Sequence, residues 1–322
     1  MRALLVLALL TVAVIAPVHA QDVQSFPNRP VKIVVPFPAG GPTDVNMRIV
    51  GQKLAEIWGQ GVVIENRPGA NTGIGAQMVA KSAPDGYTLL AAMDTTLVMN
   101  PATGAAMNYD PFKDFAAITL TAKNTSLLTV RASDGPNTIG ELIARGKASA
   151  TKLNYGAGIT ITRLAGATFA KAAGIEVQLI PYKGSAEVVQ GLLTGSVDFI
   201  VDGIAPSLPL INSGQFRPLA KLNNRSLPTL PELRPLAEAS GLAIDEMSSW
   251  IGLVAPAGTP PSIVQKIHAD VVRAMADAAV AERLEKAGIL AVTTTPAEFE
   301  KYFRDEAERW AKVYKESGIK LD

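Results

Sequence analysis

A short β-branched run, a glycine-bearing turn and an amphipathic stretch follow one another near the start of this chain, and the unit then repeats. Val31-Lys32-Ile33-Val34-Val35 reads as a strand. It breaks at Pro36-Phe37-Pro38-Ala39-Gly40-Gly41-Pro42-Thr43-Asp44, where adjacent glycines allow a tight turn and a close approach to a ligand. Thr43 or Asp44 is placed to cap a helix through Met47, Val50, Leu54 and Ile57, ended by Gly59. Free N–H groups at such a helix start suit an anion, although the same turn also serves as a plain strand-to-helix connection. Residues 61–65 form the next strand, residues 66–75 a loop into a helix, and residues 87–92 a third strand after the turn at Pro84-Asp85-Gly86. Strand, helix and strand at this spacing require crossover connections, hence a parallel α/β sheet.

A second set of the same kind follows. Strands are expected at residues 115–121, 127–130, 153–155, 177–180, 197–202 and 217–222, with Asn137 or Thr138 capping one of the intervening helices. Residues 223–240 are Pro-rich and irregular. The run at 250–255 reads as a return to the first half, before helices at 262–275, 281–287 and 296–317, the last two ended by Gly288 and Gly318. A chain of 322 residues exceeds the usual size of one core. The expectation is therefore α/β with two lobes, each a mainly parallel sheet flanked by helices and with the ligand cleft between them. Lobe I comprises 21–122 and 248–322, and lobe II comprises 123–247. Ligands in such sheets lie outside the carboxyl ends of the strands, and crossing connections let the cleft hinge shut.

Composition narrows the function. Residues 1–20 read as a secretory signal peptide cleaved near Ala20, with Arg2 as the positive end and Val18-His19-Ala20 as the cleavage site. No later segment is apolar for long enough to span a bilayer. There is no cysteine, which removes disulfides, thiolate nucleophiles, thiolate metal sites and a lipoprotein anchor. Past the signal, His268 is the only histidine, and it reads as a surface residue of a helix, so neither a catalytic triad nor a multi-histidine metal site is expected. Loss of Arg2 brings the net charge from +1 to zero, and with no basic block, nucleic acid is not an expected partner.

One motif points elsewhere. Gly69-Ala70-Asn71-Thr72-Gly73-Ile74-Gly75 matches the G-x-x-x-G-x-G loop of short-chain dehydrogenases, with Asp94 downstream as a ribose-binding acid and Tyr109-x-x-x-Lys113 imitating their catalytic pair. The loop follows the second strand and not the first, and Pro111 would break a helix joining Tyr109 to Lys113.

Phe26-Pro27-Asn28-Arg29-Pro30-Val31, Val34-Val35-Pro36-Phe37-Pro38-Ala39-Gly40-Gly41, Glu65-Asn66-Arg67-Pro68-Gly69-Ala70, Pro84-Asp85-Gly86-Tyr87-Thr88, Pro181-Tyr182-Lys183-Gly184 and Ala255-Pro256-Ala257-Gly258-Thr259-Pro260 carry a resemblance that covers essentially the whole mature chain. By these blocks the sequence resembles the tripartite tricarboxylate transporter receptors, also called Bug-type periplasmic binding proteins. The resemblance implies a two-lobed, type II-like periplasmic binding protein fold that closes on a small carboxylate. The ligand would then pass to membrane permease subunits, with no cofactor, no metal and a monomeric receptor in the periplasm.

Carried onto this sequence, the first binding loop comprises Phe37, Pro38, Ala39, Gly40, Gly41 and Asp44. The second lobe supplies Gly158, Ile159, Thr160, Ile161 and Thr162, where the family commonly shows Gly-Ser-x-Gly-Ser. Ala157, Ile159, Thr160 and Ile161 depart from that pattern, Arg163 stands where histidine is frequent, and the added apolar bulk shifts the expected ligand toward an apolar or aromatic acid.

Three further stretches remain candidates. Asp94, Thr95 and Thr96 either donate hydrogen bonds to a ligand or cap the next helix. Asp202 faces the hinge, a ligand amine or solvent. Asn71-Thr72 reads as structural, Asp44 and Arg48 read as an ion pair one helical turn apart, and Arg163 reads as exposed. Two other functions use the same features: an exported sensory receptor with this binding fold, and a secreted NAD-dependent, short-chain-dehydrogenase-like enzyme.

Overall fold

The computed structural model describes residues 25–317; the signal peptide and Gly318 of the sequence analysis lie outside them. The first sheet gathers β1 (Val31–Val35), β2 (Val62–Asn66), β3 (Thr88–Met93), β4 (Phe115–Asn124), β10 (Ser249–Pro256) and β11 (Ile289–Ala291), in the order β11-β4-β10-β3-β1-β2. The second gathers β5 (Ser126–Arg131), β6 (Leu153–Ala157), β7 (Val177–Pro181), β8 (Phe199–Gly203) and β9 (Phe216–Lys221), in the order β7-β6-β8-β5-β9. The sheets are mixed. β10 pairs antiparallel with both β3 and β4, β11 is antiparallel to β4, and β5 is antiparallel to both β8 and β9. All other strands of each sheet share one direction. The two reversed inner strands, β5 and β10, are each the first strand after the chain crosses between sheets. Each crossing thus delivers a strand upside down into the middle of the next sheet, giving both sheets one plan and placing the two crossing segments side by side.

Local sequence explains the elements that frame the cleft. β1 is buried on both faces: Val34 joins one apolar cluster with Leu90, Ala92 and Trp250, whereas Ile33 and Val35 join another with Leu89, Leu253 and Ile263. On one side of this sheet lie α1 (Pro42–Trp58), α9 (Pro261–Met275) and α10 (Ala278–Lys286); on the other lie α2 (Gly73–Ala80) and the long α11 (Pro296–Ser317). Neither Thr43 nor Asp44 caps α1. The N-cap is Gly41 with Pro42 at the first helical position, where the missing N–H costs nothing, and Gly59 ends the helix in the left-handed conformation at φ 63°. α4 (Ile139–Ala148) is capped by Thr138, whose hydroxyl accepts from the Glu141 N–H while Glu141 accepts from the Asn137 N–H.

Three features run past the sequence expectations. α7 (Ile204–Asn212) carries two prolines: Pro206 falls in the first turn, where N–H groups have no helical partner, and Pro209 lies inside the helix. A π-helical turn, Thr95–Met99, leads into the single turn α3 (Asn100–Ala102). β4 continues beyond Thr121 to Asn124, at the lobe boundary. Among the described residues no helix is long and apolar enough to cross a membrane. His268 is half-buried, its Nε2 3.0 Å from the Thr294 carbonyl, and so ties α9 to the approach of α11 where a free surface residue was expected.

Candidate ligand-binding site

The loop from Phe37 to Gly41 is held from beneath. Gly40 turns it at φ 83°, and its N–H donates to Asp44 Oδ2 at 2.9 Å. Asp44 also accepts from Arg48 and, through Oδ1, from Asn66 Nδ2, which in turn donates to the Phe37 carbonyl. Burial pushes the Asp44 carboxyl up, but the hydrogen bonds from Arg48, the Gly40 N–H and Asn66 outweigh it and hold the group below its usual range. Its oxygens are occupied within the loop's own scaffold. Asp44 pairs with Arg48 and braces the loop, and it does not line the cleft. Ala39 and Gly40 sit on the exposed outer side of the turn, whereas Phe37, Pro38 and Gly41 face the other lobe.

Opposite this loop, α5 (Thr160–Ala173), α6 (Ser185–Leu193) and α7 all begin. Their N-caps are Ile159, Gly184 and Gly203, and together with Gly41 of α1 they line one pocket. Four helix N-termini therefore converge on one space. At none of them does the N-cap side chain satisfy a backbone N–H, and three of the four N-caps are glycine. Each helix start brings the positive end of a macrodipole, and those of α1, α5 and α6 carry first-turn N–H groups that no side chain caps, whereas at α7 the Ile204 N–H donates to the Thr125 carbonyl and Pro206 has none; the pocket thus favours a negative charge without a lysine or arginine in its walls. Phe37, Pro38, Met93 and Ile159 make those walls largely apolar.

Polar groups of the pocket cluster where the chain passes between the two sheets. Asn124 and Ser249 stand opposite each other in the β4–β10 pairing, and Ser126 begins β5. Asn124 is 4 % exposed, and neither its Oδ1 nor its Nδ2 has a partner. Asp202, at the end of β8, is equally buried; its Oδ1 accepts from Ser185 Oγ at 3.0 Å, and its Oδ2 has no partner. Burial pushes the Asp202 carboxyl up to about 7, with Ser185 and the Gly203 backbone pulling only part of the way back. The solvated alternative for Asp202 does not hold.

A larger opening of about 1090 Å³ adjoins this pocket and shares Phe37, Pro38 and Ile159 with it. Gly158, Tyr182 and Arg163 line it from the second lobe, and residues 68–72 from the first. Arg163 is half-buried, contrary to expectation: its guanidinium donates to the carbonyls of Gly158 and Tyr182, and no carboxylate pairs with it. Ala70, Asn71 and Thr72 all have positive φ, at 46°, 47° and 76°, a conformation that β-branched Thr72 adopts only under constraint. Asn100 supplies that constraint, donating to the Asn71 carbonyl and the Thr72 hydroxyl. Asn71 Nδ2 then reaches across the cleft to Thr160 Oγ1 at 3.0 Å. The loop read as structural is a contact between the lobes.

The remaining expected residues fall behind the walls. Thr160 is turned toward Asn71, Ile161 is 2 % exposed in the apolar core with Tyr155 and Leu164, and the Thr162 hydroxyl donates back to the Ile159 carbonyl. Only Gly158 and Ile159 of that loop reach a cavity. Asp94, Thr95 and Thr96 are fully buried and line neither space; Asp94 accepts from the Thr95 N–H and so takes the capping role. The dehydrogenase-like pair is not assembled: the Tyr109 hydroxyl donates to the Thr96 carbonyl, and Lys113 pairs with Asp110. Residues that the sequence did not single out for the site include Gly184, Ser185, Gly203, Asn124 and Ser249. Gly184-Ser185 carried a usable signal, since it follows a strand and starts a helix just as Gly40-Gly41 does. Asn124 and Ser249 carried one only through their place at the lobe boundary.

The model for the tripartite tricarboxylate transporter family receptor matches residues 46–319. Protein BugT of Bordetella pertussis is 32% identical over 314 residues, covering 97% of this chain and 95% of BugT. Among solved structures, an R. palustris protein with adipate superposes with a TM-score of 0.87 at 33% identity, covering 91% of this chain and 99% of its own. The periplasmic binding protein BugD superposes at 0.83 with 31% identity, covering 92% and 99% respectively.

Proposed function

Since the chain belongs to the tripartite tricarboxylate transporter receptor family, whose members bind solutes and are not enzymes, we propose that it captures a small carboxylate by lobe closure and delivers it to the permease of such a transporter. The observation that carries this reading is the convergence of four helix starts without side-chain caps on one pocket lined by no cationic side chain. Backbone N–H groups would hold the charge, with ordered water completing its shell, while Phe37, Pro38, Met93 and Ile159 cover an apolar body. The receptor would work as a monomer. Lobe I would comprise 21–122 with 248–322 and lobe II 123–247, and residues 1–20 would direct export to the periplasm. Closure would hide the ligand and create the surface that the permease reads, a population shift set by tighter binding to the closed form.

A thermal-shift screen of refolded, ligand-stripped protein tests this. Adipate, malate, succinate, benzoate, citrate and free amino acids are compared at neutral pH, since anything that binds only the native state raises the melting temperature. At least one carboxylate is expected to stabilise. Stabilisation by a nicotinamide dinucleotide with no response to any acid would refute the reading.

A further inference from the structure

If a carboxylate enters the pocket as proposed above, it meets Asp202. Among the residues lining that pocket Asp202 alone is ionisable, and no lysine, arginine or histidine is there to balance a second negative charge. The elements packed on β8 offer none either. On β5, Arg131 is paired with Asp134, and on β6 the Tyr155 hydroxyl donates to the Arg163 carbonyl. On α5, Arg163 is spent on two backbone carbonyls and Lys171 is exposed; on α6, Glu187 is exposed and accepts from the Lys183 N–H. Across the cleft, Asp44 is committed to Arg48, Asn66 and the Gly40 N–H. Two carboxylates cannot both ionise in so small and poorly solvated a space, so one proton must be shared or held.

The geometry says which group holds it. Asp202 lines the pocket; its Oδ1 accepts from Ser185, and its Oδ2 is buried and unpartnered. This is the pattern of a neutral acid, with its carbonyl oxygen receiving a hydrogen bond and its hydroxyl free to give one. We propose that the pocket takes up its carboxylate together with one proton, Asp202 serving as the neutral acid that donates to the ligand and the unpartnered Asn124 amide as a second donor. This rests on the carboxylate reading of the same pocket and adds to it the protonation state in which that pocket works.

The consequence is a pH-dependent affinity. Asp202 titrates near 7 in the empty protein, and a bound anion raises that value further, so binding weakens as pH rises and the free acid is lost. Between pH 6.5 and 8.5 the dissociation constant is expected to rise roughly 25-fold, the ratio of the unprotonated burdens at the two pH values. The tightest binder among adipate, malate and benzoate, all of which stay ionised over this range, is the probe. Isothermal titration at pH 8 in buffers of different ionisation enthalpy should show uptake of close to one proton per ligand. Asp202→Asn keeps a donor facing the pocket and should bind with a flat pH profile and no proton uptake. Ser185→Ala removes a hydrogen bond that favours the ionised form and should move the wild-type transition to higher pH. A flat wild-type profile without proton uptake would overturn this inference and leave the carboxylate reading standing. An affinity that grows with pH would overturn it in favour of an ionised Asp202 holding a cationic group. Absence of binding by any acid across the range would overturn both.

Discussion

Gly184 is where the closed form leaves no room for a side chain. A Cβ added there would lie 3.1 Å from Pro38 Cγ and 3.3 Å from Pro38 Cδ, across the boundary between the lobes. The backbone itself is permissive: φ is −179° and ψ 173°, an extended conformation open to any residue. Gly184→Ser is therefore a wedge without backbone strain. Serine is moreover a favoured N-cap, so α6 loses nothing and gains a few tenths of a kcal/mol at most. Pro38 belongs to a half-buried loop that can yield a few tenths of an ångström, which places the overpacking cost toward the low end, about 1–2 kcal/mol. Only the closed form feels the wedge. If that form binds the ligand, the cost appears as a loss of affinity of about 5- to 30-fold, with the melting temperature of the ligand-free protein unchanged or slightly raised. Isothermal titration with the acid found by the stabilisation screen measures the first quantity and calorimetry the second.

Because Gly184 also lines the pocket, the new hydroxymethyl group could touch the ligand directly. Pro38→Ala separates the two effects. It removes the Cγ and Cδ atoms that the wedge meets, leaving Cβ at an ordinary 3.6 Å, so the double variant should recover most of the lost affinity. Gly184→Ser binding as tightly as wild type, or a double variant no better than the single, would refute the argument that this contact defines the binding-competent state.

Two other perturbations follow from the same geometry. Asn71→Gly tolerates the positive φ of 47° but deletes the hydrogen bond to Thr160; at about 0.5–1.5 kcal/mol for one such bond, the dissociation constant should rise about 2- to 12-fold, measured by titration, with a larger radius of gyration in solution scattering without ligand. Asp44→Ala removes the acceptor that anchors the Gly40 N–H, Arg48 and Asn66, and should cost about 1–3 kcal/mol in chemical denaturation at neutral pH. Asp44 has a folded-state value below 3.8, so this contribution is complete above 3.8 and disappears as pH falls through the lower folded value; the difference between variant and wild type should shrink in the same range.

The fold was readable because its signals are local. Short strand-like runs ended by a glycine-bearing turn and followed by apolar residues at helical spacing define β1, α1, β6, α5 and α6 without reference to anything distant. The reversed direction of β5 and β10 was not readable, since a strand buried on both faces shows the same apolar run whichever way it points. The turn at 37–41 was legible as a turn, but which of its residues face the other lobe depends on Asp44 turning back to Gly40 and Asn66, a partner 22 positions away. In the second lobe, hydroxyl-bearing Thr160 and Thr162 attract attention by residue type, yet α5 begins at Thr160 and points both side chains into lobe and loop contacts. Asn124, Ser249 and Gly203 meet only through the crossing of two chain segments, a tertiary fact with no trace in local periodicity.

The placement of those helix starts also accounts for a disagreement within the sequence. Ala157, Ile159, Thr160 and Ile161 replace the small, hydroxyl-rich pattern expected of this loop, which by residue type would weaken the case for binding an acid. In the structure the side chains of Thr160, Ile161 and Thr162 are directed away from the pocket, and what the loop offers there is the start of α5 and the apolar surface of Ile159. An N–H donor exists at these positions whatever the side chain, so substitution along the loop changes the shape and polarity of the wall without removing the charge-binding element. On that basis anion capture and ligand identity are set by different parts of the same residues, backbone for the first and side chain for the second. The apolar replacements then select among acids by the body they carry. Ile159→Ala, which trims the apolar wall without adding a capping hydroxyl, should accordingly weaken benzoate and adipate relative to the smaller hydroxy acid malate while leaving binding of carboxylates intact; loss of all carboxylate binding on that single change would show that the apolar wall, and not the helix start, decides whether an acid is held.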